Sequence, residues 1–299
     1  MTPFEIFSSH HDLVGESPVW DAEGACLWWV DIESKCIRRQ SSGGVLESWR
    51  LPEKVGCIAL TADRRVLAAM ESVIALLTLK EAGAYEQSTI VNMAHSSAGM
   101  RFNDGRCDPS GRMWMGTMVM DMGKAEAAGG LYCLDERGLT GPHVTGLYTP
   151  NGLAFSPDGE FMYFSDSHPK AQKIWRCNIN LATGQLSHRE LFVDMSSLPG
   201  RPDGAAMDNQ GHYWICGNDA GMVHCFDAAG RCLESVSVPF PKPAMCAFGG
   251  PDLQTLFVTS IIPGDKALDI TGLSGNVVSL QLKHRGLPEP LFSRFPATL

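Results

Sequence analysis

A pattern of short apolar runs separated by polar turns repeats along this 299-residue chain. The clearest copy spans residues 150–165, PNGLAFSPDGEFMYFS, in which the apolar run 153–155 precedes a turn and the aromatic run 161–164 follows it. Asp158 and Gly159 lie in the turn. An Asp-Gly pair between two β-prone runs favours a hairpin, because glycine tolerates the positive φ that tight turns require. The pattern therefore predicts two antiparallel strands.

Five further copies of this hairpin pattern occur, of which one is degenerate and one is weak. The turn glycines Gly111, Gly159 and Gly211 are separated by 48 and 52 residues, which gives the repeat its period. The five copies begin near Glu16, Gly56, Asn103, Asp203 and Met245.

Additional strand candidates follow several hairpins, at residues 130–135, 173–177 and 222–227. Six units of about 40–50 residues with about four short strands each are typical of a β-propeller. We therefore predict an all-β fold, a six-bladed β-propeller that takes up residues 1–299 as a single domain. We expect residues 4–7 to pair beside residues 276–282, because such pairing closes the ring without an open edge. Residues 118–128 are a candidate for a helix, but the segment is short and interrupted by Gly123, and we interpret it as a long loop between blade strands.

The composition narrows the class of protein. The net charge of -9 disfavours electrostatic binding of nucleic acid, and no apolar run approaches the ~18 residues of a membrane span. The N-terminal residues lack the basic start and apolar core of a signal peptide. We therefore expect a cytoplasmic protein that binds neither nucleic acid nor membranes, with an oligomeric state that the sequence leaves open.

The ten cysteines contain no Cys-x-x-Cys pair, and most lie inside apolar runs. We expect them to be small buried side chains rather than disulfide or zinc ligands. The histidines are scattered along the chain without a His-x-x-x-His pair, and the sequence has no nucleophile elbow, phosphate-binding loop or dinucleotide fingerprint.

Four of the six copies carry an oxygen-bearing side chain eight residues before the turn glycine, namely Glu16, Asn103, Asn151 and Asp203. Equivalent positions of a propeller are related by the rotation of the ring, so these side chains are predicted to converge at one mouth of the central channel. Taken singly, the two asparagines and Asp203 are compatible with tight turns. Glu16 is compatible with a solvated carboxylate in a loop. Their common register favours a shared site, although Gly56 and Met245 interrupt it in the second and sixth copies.

Two carboxylates with one or two amide oxygens suit a hard divalent cation such as calcium, which takes ~6–8 oxygen ligands. Open positions on such an ion would admit a substrate carbonyl or a water. Arg101 and Asn103 are two residues apart in a strand-like segment, so both can point to the same face and offer donors to hydroxyl groups. An exposed surface cation is the alternative interpretation of Arg101.

Four stretches resemble the family of senescence marker protein, gluconolactonase and luciferin-regenerating enzyme. They are GESPVWD at 15–21, MRFNDGRCDPSGRMWMGTM at 100–118, PNGLAFSPDG at 150–159 and RPDGAAMD at 201–208. The resemblance implies a six-bladed propeller with one divalent cation, and hydrolysis of aldonolactones. It assigns the metal ligands to Glu16, Asn151 and Asp203, and substrate contacts to Arg101, Asn103 and the loop residue Asp121. The family often has Glu at that last position, so the substrate is expected to differ in size or ring form.

The resulting expectation is a metal-dependent sugar lactonase acting on a 1,4- or 1,5-aldonolactone. The cation would polarise the lactone carbonyl, and Asp203 would transfer the proton of the attacking water to the ring oxygen. Calcium is the expected ion, and magnesium, manganese, iron and zinc remain open, as does the identity of the sugar. The alternatives are a calcium-binding regulatory protein with little or no catalytic role, a protein-interaction propeller, and an esterase acting on other esters.

Overall fold

Six four-stranded sheets make up the structure, a computed structural model that describes residues 3–296. The strands, in chain order, are β1 (Glu5–Ser8), β2 (Gly15–Asp21), β3 (Cys26–Asp31), β4 (Cys36–Ser41), β5 (Glu47–Arg50), β6 (Val55–Leu60), β7 (Val66–Met70), β8 (Val73–Leu79), β9 (Tyr85–Asn92), β10 (Met100–Cys107), β11 (Met113–Val119), β12 (Gly129–Asp135), β13 (Gly138–Leu147), β14 (Pro150–Phe155), β15 (Phe161–Asp166), β16 (Lys173–Asn180), β17 (Gln185–Asp194), β18 (Arg201–Met207), β19 (Tyr213–Asn218), β20 (Met222–Phe226), β21 (Cys232–Ser237), β22 (Pro243–Gly249), β23 (Thr255–Ser260) and β24 (Val277–Gln281).

Each sheet is one blade of a propeller, and its strands follow the order of the chain. Blades 1 to 5 are β2–β5, β6–β9, β10–β13, β14–β17 and β18–β21, and blade 6 consists of β22, β23, β24 and β1. The first strands of neighbouring blades contact one another around the ring, so they line the central channel. The predicted six-bladed β-propeller is confirmed. The end of the channel at which these inner strands begin is called the mouth below.

The ring is closed by the N-terminal strand, which forms the outer edge of the last blade. Glu5 pairs with Ser279 and Ile6 with Val278 in an antiparallel arrangement. The predicted pairing of the two ends of the chain is therefore confirmed. This pairing gives blade 6 four strands, as in every other blade, although these strands come from both ends of the sequence.

The described residues contain no α-helix, and the only helical segments among them are short 3-10 turns at Glu81–Gly83, Met122–Lys124, Met195–Ser197 and Lys266–Leu268. None of the helices in this part of the chain is long and apolar enough to cross a membrane. The segment predicted as a loop starts two residues later than expected, because Met118 and Val119 pair with Arg101 and Met100.

Buried apolar side chains fill the space between the blades. Trp29, Trp114 and Trp214 lie on the second strand of their blades and are completely buried. All ten cysteines are free, and eight of them are buried. The expectation of free cysteines is thus confirmed for all ten, and the expectation of burial for all except Cys36, which is partly buried, and Cys232, which is exposed.

The first and last blades are in close contact at Gly249. A Cβ atom at this position would lie 2.6 Å from two ring atoms of Trp20 and 2.8 Å from Phe257. Trp20 in turn stacks on Phe257 with ring centroids 5.3 Å apart. The absence of a side chain at residue 249 therefore allows the aromatic contact that joins blade 6 to blade 1.

We predict that Gly249→Ala lowers the free energy of unfolding by about 1–3 kcal/mol, because the added methyl group overpacks this contact. Urea denaturation followed by tryptophan fluorescence measures the change. Gly264→Ala is the matched control, since a Cβ at residue 264 meets nothing within 4 Å. Equal stability of the two variants would contradict the tight junction.

Candidate metal and substrate site

A β-bulge near the mouth interrupts the pairing of the inner strand in every blade. The four side chains predicted to form a site lie at these bulges. A bulge bends the strand and redirects a side chain, and bulges are common beside active sites. The pairing is interrupted between Glu16 and Val19, between Phe102 and Gly105, between Asn151 and Ala154, and between Pro202 and Ala205.

In blades 1 and 3, the residue after the predicted site residue joins the inner strand to the neighbouring blade. Ser17 and Gly152 have positive φ angles of 48° and 64°, a conformation that is uncommon for a residue with a side chain. The Ser17 hydroxyl oxygen accepts a hydrogen bond from the Ile58 N–H at 3.1 Å. In the same way, Oδ2 of Asp104 accepts one from the Leu153 N–H at 2.9 Å.

A chain of side-chain hydrogen bonds joins blade 3 to blade 4 at the mouth. Nη1 of Arg101 donates to Oδ1 of Asn103 at 2.6 Å. Nδ2 of Asn103 donates to Oδ1 of Asn151 at 2.9 Å and to the Pro150 carbonyl oxygen at 2.9 Å. Nδ2 of Asn151 donates to the Ser167 hydroxyl at 2.8 Å. These contacts fix both amide groups and leave one lone pair of the Asn151 oxygen for a further ligand.

Asp203 is held by a partner from the next strand of its own blade. Nδ2 of Asn218 donates to Oδ2 of Asp203 at 2.6 Å, and both residues are buried. No hydrogen bond from residues 3–296 reaches the other oxygen, Oδ1. One carboxylate oxygen is therefore fixed, and the other is available for a ligand or a proton.

Three carboxylates are buried close together at this end of the channel. Burial raises the pKa of Glu16 well above its usual range, and the charges of Asp203 and Asp104 raise it further. Burial raises the pKa of Asp203 to about 7, against the opposing effects of Arg201 and the Asn218 hydrogen bond. Burial likewise raises the pKa of Asp104.

The donor set fits a hard divalent cation. Carboxylate and amide oxygens are the ligands that calcium and magnesium prefer, and Glu16, Asn151 and Asp203 supply them from three blades. Oδ1 of Asp104 is buried and has no hydrogen-bond partner among the described residues, so the negative charge of the cluster is incompletely compensated. A 2+ ion bound by Glu16 and Asp203 would offset both the burial and the repulsion that raise their pKa values.

Arg101 and Asp121 have different surroundings. Arg101 is half-buried, and burial lowers its pKa while Glu16 opposes this effect. Asp121 is exposed, and its carboxylate accepts a hydrogen bond from the Gly123 N–H at 3.1 Å, which caps the following 3-10 turn. The structure therefore brings Arg101, Asn103 and Asn151 into direct contact, but Asp121 has no hydrogen bond to them.

The sequence reasoning did not identify three residues that support the site, namely Asp104, Ser167 and Asn218. Asp104 had a detectable signal, because it lies in the same register as Ser17, one residue after a predicted site position. Ser167 and Asn218 had no such signal in the sequence, since each lies at or just after the end of the second strand of its blade. Their relation to Asn151 and Asp203 depends on how the strands pair.

Comparison with known proteins places this architecture in a defined group. A family model described as "SMP-30/Gluconolactonase/LRE-like region" matches residues 14–262. The 6-deoxy-6-sulfogluconolactonase of Pseudomonas putida is 34% identical over 286 residues, which cover 94% of this chain and 95% of the relative. The pentonolactonase of Haloferax volcanii is 35% identical over 248 residues, covering 83% and 81%. A crystal structure from Agrobacterium tumefaciens, described as the calcium-binding protein regucalcin, superposes with a TM-score of 0.90 at 27% identity over 98% of each chain.

We predict that Asp203 makes the cation-free protein less stable as the pH rises. Its pKa is about 7 in the folded protein and about 3.9 in an unfolded chain. Between these values the folded state holds a proton that the unfolded state has lost, so the free energy of unfolding falls as the pH rises through this window.

Urea denaturation in the presence of a chelator, at pH values from about 4 to about 8, measures this effect. The stability of Asp203→Asn relative to the unsubstituted protein should increase with pH by about 1–4 kcal/mol across the window. A stability difference that does not change with pH would contradict the prediction.

Proposed function

The chain belongs to the SMP-30/gluconolactonase/LRE-like family, and we propose that it hydrolyses a sugar lactone to the corresponding aldonic acid with the help of a divalent cation. The observation that carries the proposal is the hydrogen-bonded chain from Arg101 through Asn103 to Asn151, beside the buried carboxylates of Glu16 and Asp203. Relatives named as sugar lactonases support the substrate class.

Glu16, Asn151 and Asp203 are the residues that would hold the cation. Calcium is favoured, because all three donors are oxygen atoms and a structurally similar protein is described as calcium-binding. When bound, the ion supplies Lewis-acid polarisation of the lactone carbonyl and compensates the buried negative charge.

Asp203 is proposed to move the proton. Oδ1 of Asp203 takes a proton from water as the water oxygen forms a bond to the lactone carbonyl carbon. The bond from this carbon to the ring oxygen then breaks, and Asp203 returns the proton to the ring oxygen, which becomes a hydroxyl group of the aldonic acid. Asn218 supports this role, since its bond to Oδ2 fixes the orientation of the carboxylate.

Arg101 is proposed to bind the hydroxyl groups of the sugar. Its guanidinium has five N–H donors in a fixed geometry, and within residues 3–296 only its Nη1 is engaged, with Phe102 and Asn103. Asn103 contributes to substrate binding by orienting Arg101, because its two amide N–H groups are directed to Pro150 and Asn151. Asp121 would contact the outer part of the sugar from the loop at the mouth.

A second candidate function is calcium binding without catalysis. The similarity to a structure described as a calcium-binding protein favours it. The half-buried Arg101 favours the enzymatic function, since a site that only binds a metal ion does not require a positively charged guanidinium beside its ligands.

We predict that the chelator-treated protein gains lactonase activity when a single divalent cation is added. A pH-drop assay over a panel of 1,4- and 1,5-aldonolactones measures the turnover. Asp203→Asn should reduce turnover by at least ~1000-fold, because it replaces a charged cation ligand with a neutral one and removes the proton acceptor. Absence of turnover of every sugar lactone with every cation would refute the proposal and favour the calcium-binding alternative.

We predict that Arg101→Lys separates substrate binding from cation binding. The lysine keeps the positive charge but loses the planar array of donors, so kcat/KM for the lactone should fall ~10–100-fold. Calcium affinity, measured by isothermal titration calorimetry, should change by less than about threefold. Arg189→Lys, on the exposed outer strand β17, is the matched control. Parallel losses of turnover and of calcium affinity would place Arg101 in the cation site.

A further inference from the structure

A second cluster of candidate metal ligands lies at the opposite end of blade 5 from the mouth. Asp208 follows β18 and is completely buried. Its Oδ1 accepts hydrogen bonds from the N–H groups of Gln210 and His212, both at 2.9 Å. Its Oδ2 lies 2.8 Å from Nδ1 of His212 and 3.1 Å from Nδ1 of His284. His284 comes from the segment after β24, so the cluster joins two distant parts of the chain.

The equivalent position in blade 3 shows what is unusual about this cluster. Asp108 accepts backbone hydrogen bonds in the same way, and its Oδ2 is paired with Nη1 of Arg112 at 3.1 Å. In blade 5, His212 occupies the position that corresponds to Arg112, and a second imidazole, that of His284, also contacts the aspartate. A guanidinium is always charged and cannot bind a metal ion, whereas imidazole is the most common metal ligand.

The contacts of His284 are difficult to satisfy with a neutral imidazole. Its Nδ1 faces Asp208, and its Nε2 lies 2.8 Å from Oε1 of Glu234. A neutral imidazole has only one N–H group, so one of these two contacts with a carboxylate would lack a proton. A cation between Nδ1 and Asp208 removes the conflict, because Nε2–H then donates to Glu234. This carboxylate–histidine–metal arrangement is typical of protein metal sites.

The distances suit a small tetrahedral ion. Bonds of about 2.0–2.1 Å to nitrogen and oxygen place neighbouring ligands about 3.3–3.4 Å apart in a tetrahedron. The two distances from Asp208 to the imidazoles are 2.8 Å and 3.1 Å, and the three ligand atoms all lie within 4.8 Å of one another. The two carboxylate–imidazole distances would therefore have to lengthen by about 0.2–0.6 Å to reach the ligand spacing.

We propose that Asp208, His212 and His284 bind a zinc-class divalent ion, with Glu234 as the hydrogen-bond partner of His284. Two nitrogen ligands and one oxygen ligand favour zinc over calcium. The side chains of His212 and His284 are 17% and 11% exposed, so water can supply the fourth ligand. The ion would fasten the segment after β24 to blade 5, where Asn209 already donates a backbone hydrogen bond to Arg285 at 2.8 Å.

The test uses the Asp203→Asn protein, in which the site at the mouth has lost the negative charge of one carboxylate. After treatment with a chelator, this protein should bind one equivalent of Zn²⁺ in isothermal titration calorimetry. One equivalent of Co²⁺ should produce the intense visible absorption of a four-coordinate ion, and Ca²⁺ should not compete. Zn²⁺ should also raise the melting temperature.

Adding His284→Gln to this background should abolish the stoichiometric binding and the Co²⁺ spectrum, and His212→Asn should do the same. Glu234→Gln should weaken Zn²⁺ binding by about 10–100-fold. His188→Gln is the control, because His188 is exposed on the outer strand β17 of blade 4, and it should bind Zn²⁺ normally. Circular dichroism confirms that each variant is folded.

The proposal is overturned if the Asp203→Asn protein binds no Zn²⁺, since hydrogen bonds alone then join the segment after β24 to Asp208. It is also overturned if both histidine variants still bind one equivalent.

Discussion

The burial of three carboxylates at the mouth is the constraint on which the candidate site depends. Glu16, Asp104 and Asp203 come from blades 1, 3 and 5, and burial together with their mutual repulsion raises the pKa of Glu16. Such a cluster persists only because each side chain is fixed on a rigid strand by bulges and hydrogen bonds that do not involve the other carboxylates. Burial and repulsion together favour a proton or a divalent cation, and this preference connects the fold to the proposed chemistry.

The closed ring supplies the rigidity that this arrangement requires. Pairing of β1 with β24 gives the last blade its fourth strand, and the contact of Trp20 with Phe257 joins that blade to the first. Since the inner strands all begin at the mouth, a polar residue at the start of any of them points toward a common region. The hydrogen bonds from Arg101 through Asn103 to Asn151 then connect two blades directly, so one proposed cation ligand, Asn151, and the proposed substrate-binding group are positioned by the same contacts.

The two ends of blade 5 illustrate how similar local structure can support different chemistry. At the mouth, Asp203 has an amide partner in Asn218 and other carboxylates nearby. At the opposite end, Asp208 faces two imidazoles. The first environment offers oxygen ligands and suits a hard metal ion, whereas the second adds imidazole nitrogen ligands and suits a borderline metal ion such as zinc. The difference arises from the partners that the ring brings to each end of the strand.

The sequence by itself determined the repeat, the strands, the six blades and the closure of the ring, because hairpin turns and apolar runs act over a few residues. The common register of the repeats also indicated Glu16, Asn103, Asn151 and Asp203, since equivalent positions are related by the rotation of the ring. Tertiary structure alone decided which side chains meet them. Asn218 reaches Asp203 through strand pairing, and His284 reaches Asp208 across 76 residues. Such contacts depend on register and on the packing of whole blades, which local propensity does not encode.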